Sequence, residues 1–173
     1  GTEVWVKHEN QTPIGSFKLR GGLVYFSHLA DSSKMPKSVV SATKGNHGQS
    51  IGFAARRYGI PATVVVPFGN STEKNNAMRS LGVKLIEHGN DFQSAREFAI
   101  KMARENSLMM IPSFDSLLVT GVASYSLELI NAVKDLDIVY VPIGLGSGIC
   151  GMLAVRDALK LKTKVVGVVS VHA

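Results

Sequence analysis

Residues 137–151 read DIVYVPIGLGSGICG: a β-branched run, Asp137-Ile138-Val139-Tyr140-Val141, closed by Pro142 and followed by Gly144-Leu145-Gly146-Ser147-Gly148 at the head of a helical pattern. A strand that passes through a glycine turn into a helix is the repeating step of a parallel sheet covered by helices. The same step recurs backward and forward along the chain. Strands are expected at 39–42, 62–66, 83–86, 108–111, 137–141 and 164–169, several of them apolar on both faces as buried parallel strands are. Helices are expected between them at 46–58, 72–81, 92–105, 119–134 and 149–160.

Phe92, Ala95, Ala99, Met102 and Ala103 follow the three/four spacing of one buried stripe, and Val119, Val122, Ala123, Ile130 and Val133 repeat it. An earlier helix is expected from Ser16 through Leu29, weakened at Gly21-Gly22. Residues 31–36 read as a connection between two lobes. Pro67 and Pro142 follow β runs and mark carboxyl ends of strands, the edge at which open α/β sheets bind ligands.

With 45% hydrophobic and 18% charged residues over 173, the chain is globular rather than disordered. Its net charge of +6 admits an acidic partner, but the cations are scattered and no aromatic platform alternates with them. A small anionic ligand therefore fits better than nucleic acid or a membrane surface. No apolar run is long enough for a membrane helix, and the opening residues lack the blocks of a signal peptide. Cys150 has no partner cysteine, which suits a reducing compartment, so the expected location is the cytoplasm. The five histidines show no metal-ligand spacing, and no metal site is expected.

Three segments carry chemistry. In the first, Gly144, Gly146 and Gly148 let successive N–H groups point into one concavity, to which the following helix start adds positive charge; this suits a phosphate. The bland alternative is a tight strand-to-helix turn. The same stretch holds a formal G-x-G-x-x-G from Gly146 to Gly151, but dinucleotide binding calls for an acid roughly 20 residues on. Residues 168–173 contain none, so a monophosphate is preferred.

The second segment, Thr43-Lys44-Gly45-Asn46-His47, again opens a helix at a strand end. It could present N–H groups to a carboxylate, or simply cap the helix through Thr43 or Asn46. The third surrounds Lys18, between Phe17 and Leu19. A lysine there ordinarily snorkels, yet an apolar setting can also hold its amine neutral and nucleophilic toward carbonyls.

Taken together, Ser16-Phe17-Lys18-Leu19-Arg20-Gly21, Gly45-Asn46-His47-Gly48-Gln49 and Gly144 to Gly148 resemble, in order and spacing, the motifs of the pyridoxal-phosphate serine/threonine dehydratase and serine racemase group. The resemblance implies a tryptophan-synthase-β-like, fold type II α/β architecture. It implies a small flavodoxin-like domain over 40–117 and an incomplete large domain from 1–39 and 118–173. Lys18 would hold pyridoxal 5'-phosphate as a Schiff base with Phe17 packed beside it, and Asn46 would reach the ring oxygen. Gly144, Leu145, Gly146, Ser147 and Gly148 would hold the phosphate. Thr43, Lys44, Gly45, Asn46 and His47 would receive the substrate carboxylate, and Gly121, Val122, Ala123 and Ser124 would form a further pocket loop.

The activity so implied converts serine, threonine or 3-hydroxyaspartate to a 2-oxo acid and ammonia. Lys44 stands where many relatives carry a small hydroxyl residue, a departure that puts racemisation in doubt and points to a substrate with a second carboxylate. Relatives of this group are about twice as long. An incomplete large-domain sheet would leave apolar faces uncovered, so a homo-oligomer is expected. The alternative is a binding or assembly module that keeps the pocket without turnover.

Overall fold

The computed structural model describes residues 1–171. A short 3-10 turn at Glu9–Gln11 leads into helix α1 (Lys18–Asp31), after which strands and helices alternate: β1 (Val39–Ala42), α2 (Asn46–Arg57), β2 (Ala62–Val66), α3 (Thr72–Ser80), β3 (Lys84–Glu87), α4 (Phe92–Glu105), β4 (Met109–Met110), α5 (Ser116–Ala132), β5 (Ile138–Pro142), α6 (Ser147–Ala158) and β6 (Lys164–Val168). The first four strands form one parallel sheet in the order β3-β2-β1-β4, and β5 pairs in parallel with β6 in a second.

Burial explains the sequence pattern of the larger sheet. Val39, Val64 and Val66 pack with Ile51, Ala54 and Ala55 of α2, Met78 of α3 and Phe26 of α1. Val40, Ala42 and Val65, on the opposite face, pack with Ala95, Ala99 and Ala103 of α4. β1 is buried at all four positions because helices cover both its sides, which favours apolar residues on both faces. Its one polar residue, Ser41, donates its hydroxyl to the Ile111 carbonyl at 2.9 Å. In the second sheet only one face is covered. Val139 and Val141 turn inward onto Met152, whereas Ile138 and Tyr140 face solvent.

The strand order matters for function. The chain leaves β1 for β2 and β3 and returns to the other side of β1 at β4, so the crevice beyond the carboxyl ends of β1 and β4 is a topological switch point, the usual ligand site of open α/β sheets. Segments 43–47 and 112–114 meet there, tied by the Ser113 hydroxyl, which donates to the Ala42 carbonyl at 3.0 Å.

Three expectations need correction. α1 runs unbroken through Gly21-Gly22, which admit its neighbours. A Cβ on Gly21 would lie 2.8 Å from the Leu118 carbonyl oxygen of α5, and one on Gly22 would overlap the Ser50 hydroxyl of α2. Residues 121–124 are not a loop; they occupy the middle of α5, which starts earlier than its apolar stripe suggested because Asp115 caps it, accepting from Leu117 N–H at 2.8 Å. Val133, assigned to that stripe, has left the helix for an extended conformation.

An ion-pair network fixes the segment ahead of α1. Arg20 donates to both Glu9 (2.8 Å) and Glu128 (2.6 Å), Lys7 bonds the same two carboxylates at 2.9 and 2.8 Å, and Arg20 also reaches the Ser124 hydroxyl. The hydrogen bonds from Arg20 and then Lys7 hold the Glu128 carboxyl down at about 2, against an ordinary 4.5. A folded carboxyl that titrates below its unfolded value contributes stability above the ordinary range and loses it as the pH falls. The window here runs from 4.5 down to about 2. Half of the Glu128 side chain faces water, and screening reduces the contribution to under about 1 kcal/mol. Glu128→Gln is therefore expected to lose a small part of its stability at neutral pH and to flatten the acid limb, as read by urea titrations at pH 7, 4.5 and 3. Parallel acid limbs for the two proteins would show that Glu128 is not part of the acid response.

Candidate active site

Lys18 opens α1, with Phe17 as the residue before the first turn. Its main chain is held on two sides: its N–H donates to the Ser16 hydroxyl at 3.3 Å, and the buried Ser50 of α2 donates to its carbonyl at 2.6 Å. Its side chain runs to the far end of the sequence and donates from Nζ to Ser147 Oγ at 2.6 Å. Nζ also stands 5.6 Å from the Phe17 ring centre. Burial pushes the amine below the ordinary lysine range, because no bonded carboxylate offsets the loss of water around the charged form. The structure thus joins Lys18 to the glycine turn.

That turn follows β5 and ends at Gly146, which sits at φ 102, a left-handed conformation that favours glycine, directly before Ser147 at the first turn of α6. Its two sides differ. A Cβ on Gly144 or Gly146 would meet open space, whereas one on Gly148 would lie 3.2 Å from the Tyr125 hydroxyl and 3.4 Å from Phe17 Cζ. Leu145 is exposed at its tip. The open side, beside the N–H groups that a helix start leaves without intrahelical partners, has the form of an anion cradle. The packed side seats the turn against Phe17 and Tyr125, whose rings are 5.6 Å apart, and Tyr125 Oη donates to the Gly148 carbonyl at 3.3 Å.

Segment 43–47 leads from β1 into α2 at the switch point. Thr43 is buried and its hydroxyl accepts from Gly45 N–H at 3.1 Å, while Lys44 and Asn46 are exposed. Lys44 contributes to lowering the Asp91 carboxyl, a smaller influence than the Ser94 N–H that Asp91 caps. His47 is buried, and its Nε2 has no hydrogen-bond partner. Burial first, and then the Lys18 charge, push its imidazole down to about 4 against a backbone bond to Pro112. His47 is therefore neutral near pH 7, close to Lys18, with one ring nitrogen unsatisfied. A buried polar atom left without a partner costs about 1–3 kcal/mol, and a ligand in the crevice would relieve that.

Several contributors had no legible signal. Ser50 holds the main chain of Lys18, and Tyr125 supports the glycine turn from within a helix that reads as plain core. Arg20 stands inside the lysine motif, but besides Glu9 its partners lie over a hundred residues away on α5. Among the described residues no cluster of potential metal ligands occurs, and no helix is long and apolar enough to cross a membrane.

The model for pyridoxal-phosphate dependent enzymes matches residues 1–173. L-threonine ammonia-lyase of Thermotoga maritima is 34% identical over 169 residues, 97% of this chain and 42% of that protein. Threonine deaminase isoform 2 from Solanum lycopersicum, in its processed form, superposes with a TM-score of 0.85 at 30% identity, covering 95% of this chain and 48% of that one. A pyridoxal 5'-phosphate-dependent aspartate racemase gives 0.87 at 29% identity, covering 92% and 49%. The chain spans less than half the length of each. These neighbours have the expected fold type II architecture of parallel sheets and covering helices. Since the family model covers the whole sequence, the chain belongs to the pyridoxal-phosphate dependent enzymes.

Proposed function

We propose that this chain carries the cofactor lysine, phosphate cradle and carboxylate loop of a lyase that removes water and then ammonia from a hydroxy amino acid, leaving a 2-oxo acid. The observation that carries the reading is the half-buried amine of Lys18, lowered by desolvation and directed onto Ser147 at the glycine turn. The residues present fit pyridoxal 5'-phosphate, with an amine for the aldehyde, open space at a helix start for the phosphate, and an unsatisfied buried imidazole nearby. When bound, that group supplies the electron sink for the carbanion at Cα.

The chain's own residues do the rest. Lys18, whose burial shifts its amine toward the uncharged form, would hold the group through Nζ and, when free of it, would take the proton that leaves Cα. N–H groups of Gly144, Leu145, Gly146, Ser147 and Gly148, with the positive end of α6, bind the phosphate. Phe17 packs at the base of the site, and the Asn46 amide orients the ring oxygen. Thr43, Gly45 and His47 receive the substrate carboxylate at the start of α2. Threonine dehydratase names among the relatives support a small hydroxy amino acid as substrate. Incubation with the cofactor, borohydride reduction and peptide mapping test the lysine, with the adduct expected on Lys18. A 2-oxo acid assay with serine, threonine and 3-hydroxyaspartate tests the reaction, and absence of product from all three would refute it for this chain.

Lys44, exposed on the loop, is proposed to select a second carboxylate and thus 3-hydroxyaspartate. The aspartate racemase among the structural neighbours supports a dicarboxylic amino acid as substrate. Loss of one charge-assisted bond, about 1.5 kcal/mol or more, is roughly tenfold. Lys44→Ser is therefore expected to lower the kcat/KM ratio of 3-hydroxyaspartate over serine by about that factor. An unchanged ratio would remove Lys44 from substrate selection.

A further inference from the structure

A second cation reaches the carboxylate loop from a different element. Lys74 lies in the first turn of α3, which follows β2 at the same carboxyl edge of the sheet as segment 43–47. Its side chain crosses the loop at Gly45: a Cβ on Gly45 would lie 2.9 Å from Lys74 Cδ, 3.2 Å from Nζ and 3.3 Å from Cε. The lysine comes this close only because position 45 has no side chain, and Gly45 is buried in consequence. Among the described residues, Lys74 Nζ has neither an ion pair nor a hydrogen bond. Lys44, by contrast, has Asp91 within its field.

We propose that Lys74 is a substrate-binding residue, its ammonium donating to the α-carboxylate that segment 43–47 receives. This rests on the reading of 43–47 as the carboxylate loop. The N–H groups at the start of α2 bring partial positive charge to that carboxylate, and Lys74 adds a full charge with three donors beside Gly45, on a long stem that lets Nζ follow the anion. A lysine packed on Gly45 through its methylenes alone would make the same close approach and bind nothing, so the test must separate stem from charge.

Lys74→Met keeps the stem and removes the charge; Lys74→Arg keeps the charge. The probes are 3-hydroxypropionate and malate, the deamino analogues of serine and 3-hydroxyaspartate, which cannot react with a carbonyl. Binding is followed by saturation-transfer NMR or calorimetry, with and without pyridoxal 5'-phosphate. Lys74→Met is expected to weaken both probes alike by about tenfold, the effect of one charge-assisted bond, and Lys74→Arg to retain most of the affinity. Three results would overturn the proposal: wild-type affinity in Lys74→Met, a loss confined to malate, which would put Lys74 on the distal carboxylate, or no binding of either probe to the wild-type chain. Borohydride trapping on the same samples keeps the two readings apart. A missing Lys18 adduct beside normal probe binding removes the cofactor reading alone, whereas a normal adduct beside unaffected Lys74→Met removes Lys74 alone.

Discussion

Lys18→Met is expected to abolish the borohydride-trapped cofactor adduct and to lower 2-oxo acid formation by about 10³-fold or more, the scale of losing a nucleophile that also handles a proton. The methionine keeps the apolar stem beside Phe17 and leaves only the bond to Ser147 Oγ unmade. Stability is expected to move the other way. A folded-state lysine pKa held below its unfolded value means that charging the amine opposes folding at neutral pH, an opposition relieved as the pH rises toward the ordinary lysine value of 10.5. Removing the amine removes that opposition, so the variant should melt at or above the wild-type temperature while trapping nothing. Loss of adduct together with loss of fold would leave the role of Lys18 as cofactor lysine unsupported. Trapping at another lysine, such as Lys44, would refute it directly.

Much of this arrangement is legible in the sequence wherever a local rule and the tertiary environment agree. β1, β2 and α4 fall on their expected bounds, because burial on both faces gives the strands largely apolar runs with only Ser41 and Thr63 as exceptions, and Asp91 caps α4 by accepting from Ser94 N–H at 2.7 Å. Legibility fails where a residue acts across helices. Gly21-Gly22 reads as a weakness in a helix because the reading sees only propensity. In the fold the two glycines are where α5 and α2 approach α1. Gly121 to Ser124, carried by resemblance into a pocket loop, turn out to serve the same approach from the other side: Gly121 lies on Arg20 and Gly21, and Ser124 accepts from Arg20. The glycine turn stands out because backbone chemistry demands its residue type, whereas Lys18 and the 43–47 segment stand out only together with it, through the order and spacing that resemble the family motifs. Lys74, Ser50 and Tyr125 were not, since an exposed lysine and a serine or tyrosine inside a helix have no local mark of what they touch.

The helix crossing is also where the fold is most sensitive to a single methyl group. A Cβ on Gly121 would stand 2.3 Å from the Arg20 carbonyl oxygen, 2.8 Å from its carbon and 2.8 Å from Gly21 Cα, all main-chain atoms that no rotamer change can move away. Gly121→Ala must therefore drive α1 and α5 apart, against the gain of about 1 kcal/mol that alanine brings to a helix interior. Overpacking of this kind costs about 1–3 kcal/mol and occasionally more, and contact with rigid backbone places this site at the upper end. A net loss of about 2 kcal/mol corresponds to roughly 4–8 °C in Tm for a chain of this size. The displacement has a functional reading too, since α1 carries Lys18 and α5 carries Tyr125, which supports the glycine turn. Separating the helices shifts the amine relative to Ser147, so the adduct yield on Lys18 should fall at temperatures where the variant is still folded. The Tm by circular dichroism and the adduct yield by mass spectrometry would be measured on the same preparation. An unchanged Tm would mean that the two helices can part without strain, and the close glycine crossing would then not be what sets the position of the lysine.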